Sequence, residues 1–548
     1  MKKVFICAAV LASFSFTTAS AQDIYKVEQV STTDLDGDAR FVGMGGAMGA
    51  LGANLSAMSS NPASTGLYRR SDIGVTAGLL AQPYNGTMQV GSGKTNGSFD
   101  QIGFVYSCDL GNSTGAKFFN VGFNYKKGRN LKNYIGMNNV SLPKSMTPDG
   151  VPQGMSQSWQ FADLAANLEG NLLDLGYEND RELTTPTTLL AYDTYLIDAI
   201  DENGESVGDR NVRIAEYIPS YANRYNYHRA QWGGIQDYDF NFSININERV
   251  YFGANLGVHN VDTHSALIYD EELYQNGNVN DTGGYTMRTE ESLTGYGVDG
   301  KFGVIIRPID ESPFRFGVSV TTPTAFDLES RSFADMETPY TDGNGNPSCY
   351  QDVELTNSYR VRTPWKLDVS AATTIGSFLA LDAEYQMTNY SSAAVRYENT
   401  ESWQAGSFTT DVYLQDEINN YMKNVHTVRV GAEARLSDKF SARLGYNYVT
   451  SPFDKDAYLN LLVDGSSYYY ATNTDYVNLG ATNRFTAGLG YRHKAFYFDV
   501  AFLHQRQNAD VYAFHYNIES RNGVKNDLPV QKFNLIRNQA MFTMGFKF

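Results

Sequence analysis

Cysteine is scarce in this 548-residue chain. Of its three cysteines, Cys7 lies inside an apolar run at the front and is expected to be removed with it. That leaves Cys108 and Cys349, too few for a disulfide-stapled framework. Long hydrophobic runs are missing too. No segment reaches the ~18 apolar residues that a membrane helix needs. Positive charge is in deficit: 43 Lys and Arg against 60 Asp and Glu give a net charge of −17. A nucleic-acid partner is therefore disfavoured, because phosphate binding needs a basic surface. The seven histidines show no H-E-x-x-H spacing, so no metal site and no cofactor are expected. Proline is also low, at 15.

What is abundant is Tyr (38), Phe (31) and Gly (49). Tyr and Phe favour strands and membrane interfaces. A mean hydropathy of −0.37 does not exclude a membrane protein, because a β-barrel hides its signal in alternation. At the front, Lys2 and Lys3 precede an apolar run from Val4 to Phe16, and Ala19-Ser20-Ala21 precede Gln22. This reads as a secretory signal peptide over 1–21, cleaved after Ala21. It is too short to span a bilayer.

Alternation is strict in several places. Phe240, Phe242, Ile244 and Ile246 face one way, and Asn241, Ser243, Asn245 and Asn247 the other. Val250 to Val258, Phe440 to Tyr448 and Phe485 to Tyr491 repeat the pattern. Period two argues strands with one apolar face, but a soluble sandwich gives the same pattern. Connection lengths separate the two. Strands are expected near 70–82, 99–108, 117–129, 234–247, 249–262, 290–306, 313–322, 353–373, 377–392, 422–436, 439–450, 482–493, 495–506 and 538–548. Their linkers alternate short and long, as in outer-membrane barrels with periplasmic turns and extracellular loops. The expected fold is an all-β, antiparallel transmembrane barrel of about 14 strands over 70–548. Closure is required because every backbone group in hydrocarbon must be paired. Glu433 is expected beside Arg443 across the Ser437-Asp438 turn, inside the lumen. The last strand carries Phe542, Met544, Phe546 and Phe548 on one face. A terminal Phe548 resembles the signal read by the barrel-insertion machinery.

The segment from Asp36 through Leu67 is too rich in small residues for a normal core and too apolar for a solvated linker. It is expected to be an N-terminal hatch over 22–69, plugging the lumen. The connection 130–233 is too long for a loop without structure of its own. Trp159, Phe161, Leu164, Leu168, Leu172 and Leu175 recur at helical spacing there, which reads as an amphipathic helix. A second apolar patch outside is Leu461-Leu462-Val463 with Tyr468-Tyr469-Tyr470.

Four stretches spell parts of chemical motifs. Gly204-Glu205-Ser206-Val207-Gly208 matches a nucleophile elbow but lies in a polar turn rather than between strand and helix. Asp342-Gly343-Asn344-Gly345-Asn346 and Asp34, Asp36 and Asp38 begin like calcium loops without completing one. Gly43, Gly45, Gly46 and Gly49 miss the dinucleotide spacing. Small residues there instead allow the backbone to pack tightly on a wall. No enzyme is expected.

Ala39-Arg40, Gly43-Met44-Gly45-Gly46-Ala47 and Asn61-Pro62-Ala63, then Thr363-Pro364-Trp365, Val428-Arg429-Val430-Gly431-Ala432-Glu433, Arg443-Leu444-Gly445-Tyr446, Ser451-Pro452-Phe453 and Phe548, resemble in order the long-chain fatty-acid transporters of the FadL/TodX type. The middle, about 130–233, matches poorly. The resemblance implies fourteen strands, a hatch, and diffusion of a hydrophobic molecule through the wall or past the hatch, with no energy source of its own. The expected function is passive outer-membrane transport of hydrophobic small molecules, long-chain fatty acids first. Outer-membrane lipid is the other expected partner. Phe41, Met44 and Met48 in the hatch and Trp159, Phe161, Leu164 and Leu168 outside are the expected substrate contacts. Gly43, Gly45, Gly46, Asn61, Pro62 and Ala63 mark the hatch. The alternatives are a surface binding or adhesion protein on a barrel pedestal, and uptake of an aromatic or haem-like ligand. A TonB-coupled receptor needs a larger barrel and plug.

Overall fold

In a computed structural model, described over residues 23–82, 89–90, 95–111, 115–146, 152–166, 184–204, 206, 216–274, 284–340, 349–398, 407–461, 472–515, 528 and 530–548, fourteen strands form one closed antiparallel barrel. They are β1 (Asp72–Ala81), β2 (Thr95–Asp109), β3 (Ala116–Asn130), β4 (Tyr221–Ile246), β5 (Val250–Tyr274) and β6 (Gly284–Ile306). β7 is built in two pieces, Arg315–Thr321 and Ala325–Thr338, and so is β8, Cys349–Arg362 and Trp365–Ile375. Then follow β9 (Leu379–Asn389), β10 (Val425–Arg435), β11 (Phe440–Val449), β12 (Tyr476–His493), β13 (Phe496–Tyr512) and β14 (Gln531–Lys547). β1 closes the sheet on β14, from Asp72 opposite Lys547 to Ala81 opposite Asn538.

Side-chain polarity runs opposite to that of a soluble protein. Asn120, Asn124, Asn241, Ser243, Gln101 and Thr543 are buried, whereas Phe242, Phe302, Leu444, Leu489 and Met544 are exposed. Polar residues thus line the inside and apolar residues coat the outside, which is stable only when the outside is hydrocarbon. This excludes the sandwich that alternation alone left open. One outward arginine costs about 2–4 kcal/mol at mid-bilayer. Leu444→Arg, at a position 68% exposed, should lower the urea-unfolding stability of the bilayer-inserted barrel by that amount. An unchanged midpoint would place Leu444 outside the lipid.

Short turns gather at one end. Asn247 and Glu248 both have positive φ, 52° and 57°, in a three-residue loop between the paired Ile246 and Val250, a backbone twist that suits antiparallel strands. Arg435 to Phe440 and His493 to Phe496 close similarly. Cys108 lies at this end of β2, and Cys349 begins β8 at the other. The long connections leave from the opposite end, the extracellular one in such barrels.

Three features differ from the sequence expectation. β4, β5 and β6 run for 26, 25 and 23 residues, about twice what a tilted strand needs to cross. The alternation marks only the lipid-facing parts of β4 and β5, and all but the first few residues of β6; beyond lipid the selection for an apolar outer face is gone. The expected strand 353–373 is broken at Thr363-Pro364, level with a break in β7 at Thr322-Pro323-Thr324. Proline cannot donate to the ladder. The breaks are bridged by Thr363 N–H on the Thr324 carbonyl at 3.0 Å and Thr324 N–H on Thr363 Oγ1 at 2.8 Å. Lastly, much of the 130–233 connection is wall. Asn133–Ser141 pairs with β4, which itself begins at Tyr221.

The other described parts of that connection fold into the barrel mouth. Its helices α3 (Ser158–Ala166) and α4 (Pro186–Asp193) pack against inward rows of the wall, with Phe161, Leu190 and Leu196 among Tyr225, Tyr227, Tyr269, Tyr285 and Phe514. α4 was not foreseen; its short Leu189-Leu190 pair carries little periodicity.

Candidate functional site

Residues 23–71 precede β1 and lie within the ring of strands. Helix Ile24–Ser31, capped by Asp23 accepting from Lys26 N–H at 2.8 Å, is highest in the lumen. Its Arg129 partner donates to Glu28 at 3.0 Å and to the Gln29 carbonyl at 2.7 Å. Lower down is a short helix, Ala39–Gly43, capped by Asp38. The same Asp38 carboxylate receives Asn54 Nδ2 at 2.8 Å and Phe41 N–H at 3.0 Å. The last turn, Pro62–Leu67, is capped by Asn61, whose Oδ1 accepts from Ala63 N–H at 3.0 Å.

The segment touches wall backbone where the wall has no side chain. Gly45, at φ +67°, would place a Cβ 2.9 Å from Tyr446 N. A Cβ on Gly445 would overlap Gly45 N, and one on Gly253 would overlap the Pro62 carbonyl. These contacts put glycine against glycine or proline at van der Waals range, a fit that a single methyl group spoils. Around them run polar ties. Thr65 Oγ1 bonds Ser243 at 2.7 Å, Asn120 Nδ2 donates to the Thr65 carbonyl at 2.8 Å, and Leu51 N–H donates to Asp382 at 2.8 Å.

The strongest tie is ionic. Arg40 grips Glu433 with two bonds, 2.8 and 2.9 Å. Glu433 also accepts from Arg443 at 2.6 Å, and Arg443 continues to Asp499. The sequence placed Glu433 beside Arg443 in the lumen, and they are register partners there. It did not place Arg40 between them, because nothing local links residue 40 to residue 433.

Two polar cavities flank the segment. The upper, about 180 Å³, is lined by Asp34, Phe41, Lys126, His259, Arg429 and Arg484, among others. The lower, about 440 Å³, is lined by Asp38, Arg40, Glu433, Arg443 and the turn residues Asp438 and Lys439. Arg40 and Phe41 are neighbours in sequence yet face different cavities, so the partition is one layer of chain thick. Above, the mouth is largely apolar and aromatic, with buried polar anchors in it: Asp475 accepts from Tyr227 at 2.6 Å and from Arg229 at 2.9 Å. Glu271 accepts from Gln157 N–H at 2.8 Å and from the Ser156 and Tyr269 hydroxyls, which fixes the start of α3 to β5.

Of the sequence-selected residues, Met44 and Met48 are fully buried in a small core that the segment shares with Ala372, Ala501 and Met541 of the wall. Phe41 joins that core and reaches the upper cavity. Phe161 is buried in the mouth; Leu164 meets Leu459, Leu461 and Tyr476; Trp159 packs edge-on to Tyr221 at 5.5 Å. Leu168, Leu172, Leu175, Leu462, Val463 and the Tyr468–Tyr470 triplet lie outside the described residues, as do Asp342 to Asn346 and 1–22. The two apolar groups thus sit apart, with α1 (Ile24–Ser31) and the upper cavity between them. A residue not foreseen is Tyr25 of α1. It stacks near Phe453 at 4.8 Å and Tyr476 at 5.5 Å and so meets the Leu164 cluster.

The remaining motifs are local. Ser206 Oγ donates to Asp198 at 3.0 Å in an exposed turn. Asp34 pairs with Arg537 at 2.8 Å and Asp38 caps a helix. Among the described residues no cluster has the makings of a metal site.

No family model matches the chain, and no curated relative matches it. Solved structures do. It is similar to a Pseudomonas aeruginosa FadL homologue at 12% identity, covering 94% of this chain and 99% of that one, with a TM-score of 0.48. It is similar to the Ralstonia pickettii toluene transporter TbuX at 14% identity, with coverage of 94% and 99% and a TM-score of 0.45. The P. putida toluene transporter TodX is similar at 12% identity, with coverage of 94% and 99% and a TM-score of 0.42.

Proposed function

We propose that this barrel is a passive outer-membrane channel for hydrophobic small molecules, with long-chain fatty acids as the first cargo to test. The observation that supports the reading is a largely apolar, aromatic mouth over a lumen occupied by residues 23–69, which we read as part of a hatch over 22–69. Apolar cargo cannot cross the sugar layer outside unaided. A mouth built around Phe161, Leu164 and Trp159 would hold it by burial, at roughly 25 cal/mol per Å² of apolar surface. Phe41, Met44 and Met48 would then meet cargo only when the hatch shifts. Gly43, Gly45, Gly46, Asn61, Pro62 and Ala63 set how the hatch seats. Phe548, exposed at the end of β14, would be the residue read by the insertion machinery.

Two routes lead onward, through the wall or past the hatch. The upper cavity favours the wall. An alkyl chain crossing a chamber lined by Lys126, Asp237, His259 and Arg429 would lose the burial it gained in the mouth. The paired breaks at Pro323 and Pro364 interrupt the wall at one height, where two Thr324–Thr363 bonds bridge β7 to β8 and Thr322 bonds Gly300 of β6.

The test is uptake of labelled oleate, toluene and glucose by outer-membrane vesicles carrying the protein, against vesicles without it. Oleate entry should rise several-fold and glucose entry should not. Deleting 22–67 should change the oleate rate. A pedestal for surface binding would leave all three rates at the empty-vesicle level. Phe161→Ala, which costs the mouth core about 3–5 kcal/mol, should lower oleate uptake and speed proteolysis within 142–220.

A further inference from the structure

The wall continues well past the lipid. On β4 the outward residues run upward from Ile246 through Phe242 and Phe240 to Tyr238, and the strand goes on to Tyr221. Trp232 stands beyond Tyr238 on the same face. At about 3.3 Å per residue and a tilt near 40°, it lies roughly 15 Å above the apolar belt. An interfacial aromatic anchor belongs at the belt's edge, so Trp232 is too high to be one. It is not core either, being 43% exposed.

The outward side chains at this height form a trough. Trp232 and His264 are register partners on β4 and β5, and their rings stack at 5.4 Å with 10° between the planes. They make one rim. The other rim is His228 opposite Ile268. The floor between is Ala230 opposite Ala266, small enough to leave the trough open. Tyr134, the partner of Ala230 on the third side, closes one end, its hydroxyl 2.8 Å from His228 Nδ1. Glu290, opposite Ala266 on β6, stands exposed at the other end. The rims are four residues apart along β4, about 13 Å between backbones, which leaves room for a pyranose ring.

The chemistry selects the occupant. A flat indole offers a negative π-face to the C–H face of a sugar. The carboxylate and the ring nitrogens at the ends suit hydroxyl groups. The acidic Glu290 end and Asp262, 3.0 Å from His264 Nε2, disfavour a phosphate. Continuity with the lipid-facing belt fixes what is nearby, since this is the next layer up on the same outward face. We propose that the trough binds the oligosaccharide headgroup of an outer-leaflet glycolipid. The proposal needs only the barrel's placement in an outer membrane. It stands apart from the cargo reading, and its test uses no transport assay.

The full chain in detergent micelles is titrated with rough lipopolysaccharide, with lipid A from which the core sugars have been hydrolysed, and with the free core oligosaccharide. Native mass spectrometry and tryptophan fluorescence read the binding. Lipopolysaccharide should bind about tenfold more tightly than lipid A, and Trp232→Ala should erase that preference. Trp232→Phe should keep most of it. Phe242→Ala, in the belt, should keep all of it. The free oligosaccharide should shift the fluorescence of the native chain but not of Trp232→Ala. Equal affinity for lipopolysaccharide and lipid A, or a preference unchanged in Trp232→Ala, overturns the proposal. Gel mobility before and after heating confirms that each variant is a folded barrel.

Discussion

Gly253→Leu should leave the fourteen-stranded barrel closed and expel the residues around Pro62 from the lumen. Gly253 faces inward on β5, and any Cβ there would overlap the Pro62 carbonyl and Ala63 N. Neither side can yield easily. The wall is fixed by ladder bonds to β4 and β6. The Pro62–Leu67 turn is held by Asn61 and by Asn120 on the Thr65 carbonyl. Overpacking of this kind typically costs about 1–3 kcal/mol even when flexible side chains absorb it; here backbone meets backbone, so the upper end applies. That is about a hundredfold rise in the open population of the segment. Limited proteolysis should therefore cut near residues 53–67 far faster than in the native chain, while the barrel keeps its heat-dependent gel mobility. Gly97→Leu is the control, because a Cβ at Gly97 meets nothing within 4 Å. If Gly253→Leu digests like the native chain, the segment is not seated on that glycine.

What the sequence made legible follows from the range over which each signal acts. Lipid imposes a strict period on every crossing strand, so Phe240 to Ile246 and Phe440 to Tyr448 announced themselves locally. Turn lengths ordered them, and the register of Glu433 on Arg443 followed from the Ser437-Asp438 turn. Above the lipid that pressure stops. Tyr225, Tyr227, Tyr269 and Tyr285 point inward at the mouth, and their burial comes from the folded connection, which alternation does not encode. The upper parts of β4, β5 and β7 carry no such signal for that reason, and wall reads as insertion between 130 and 233. The small-residue stretch declared that the segment packs tightly, but not against what. Its partners Gly253 and Gly445 looked like ordinary polar-face glycines, and Arg40 finds its carboxylate 393 residues away. Such pairings are visible only when closure brings β1 to β14 and the lumen acquires a shape. For the same reason the core that Met44 and Met48 share with Ala372, Ala501 and Met541 of the wall is not written locally.

Glu433→Ala should be the most damaging single change among the lumen charges. Its carboxylate is shared by Arg40 and Arg443, and removing it leaves two guanidiniums facing each other. Arg443 retains Asp499, so Arg40 is the stranded partner, alongside the Ala53 carbonyl that it also meets at 3.3 Å. Breaking a buried pair costs about 3–5 kcal/mol. Arg40 and Glu433 side chains keep 24% and 18% exposure, so screening by cavity water lowers this to about 2–4 kcal/mol. Arg40→Ala should cost less, because Glu433 keeps Arg443 and no charge is left alone. The double variant Glu433→Ala with Arg40→Ala should recover part of the loss, since the stranded cation is gone. Urea-unfolding midpoints of the four proteins give the coupling energy directly, and proteolysis of residues 36–54 shows whether the loss falls on the segment or on the wall. Wall glycines decide whether the segment fits, whereas this shared carboxylate decides how firmly it is held. A cost for Glu433→Ala no greater than for Arg40→Ala would mean that the ion chain spans the cavity without bearing on stability.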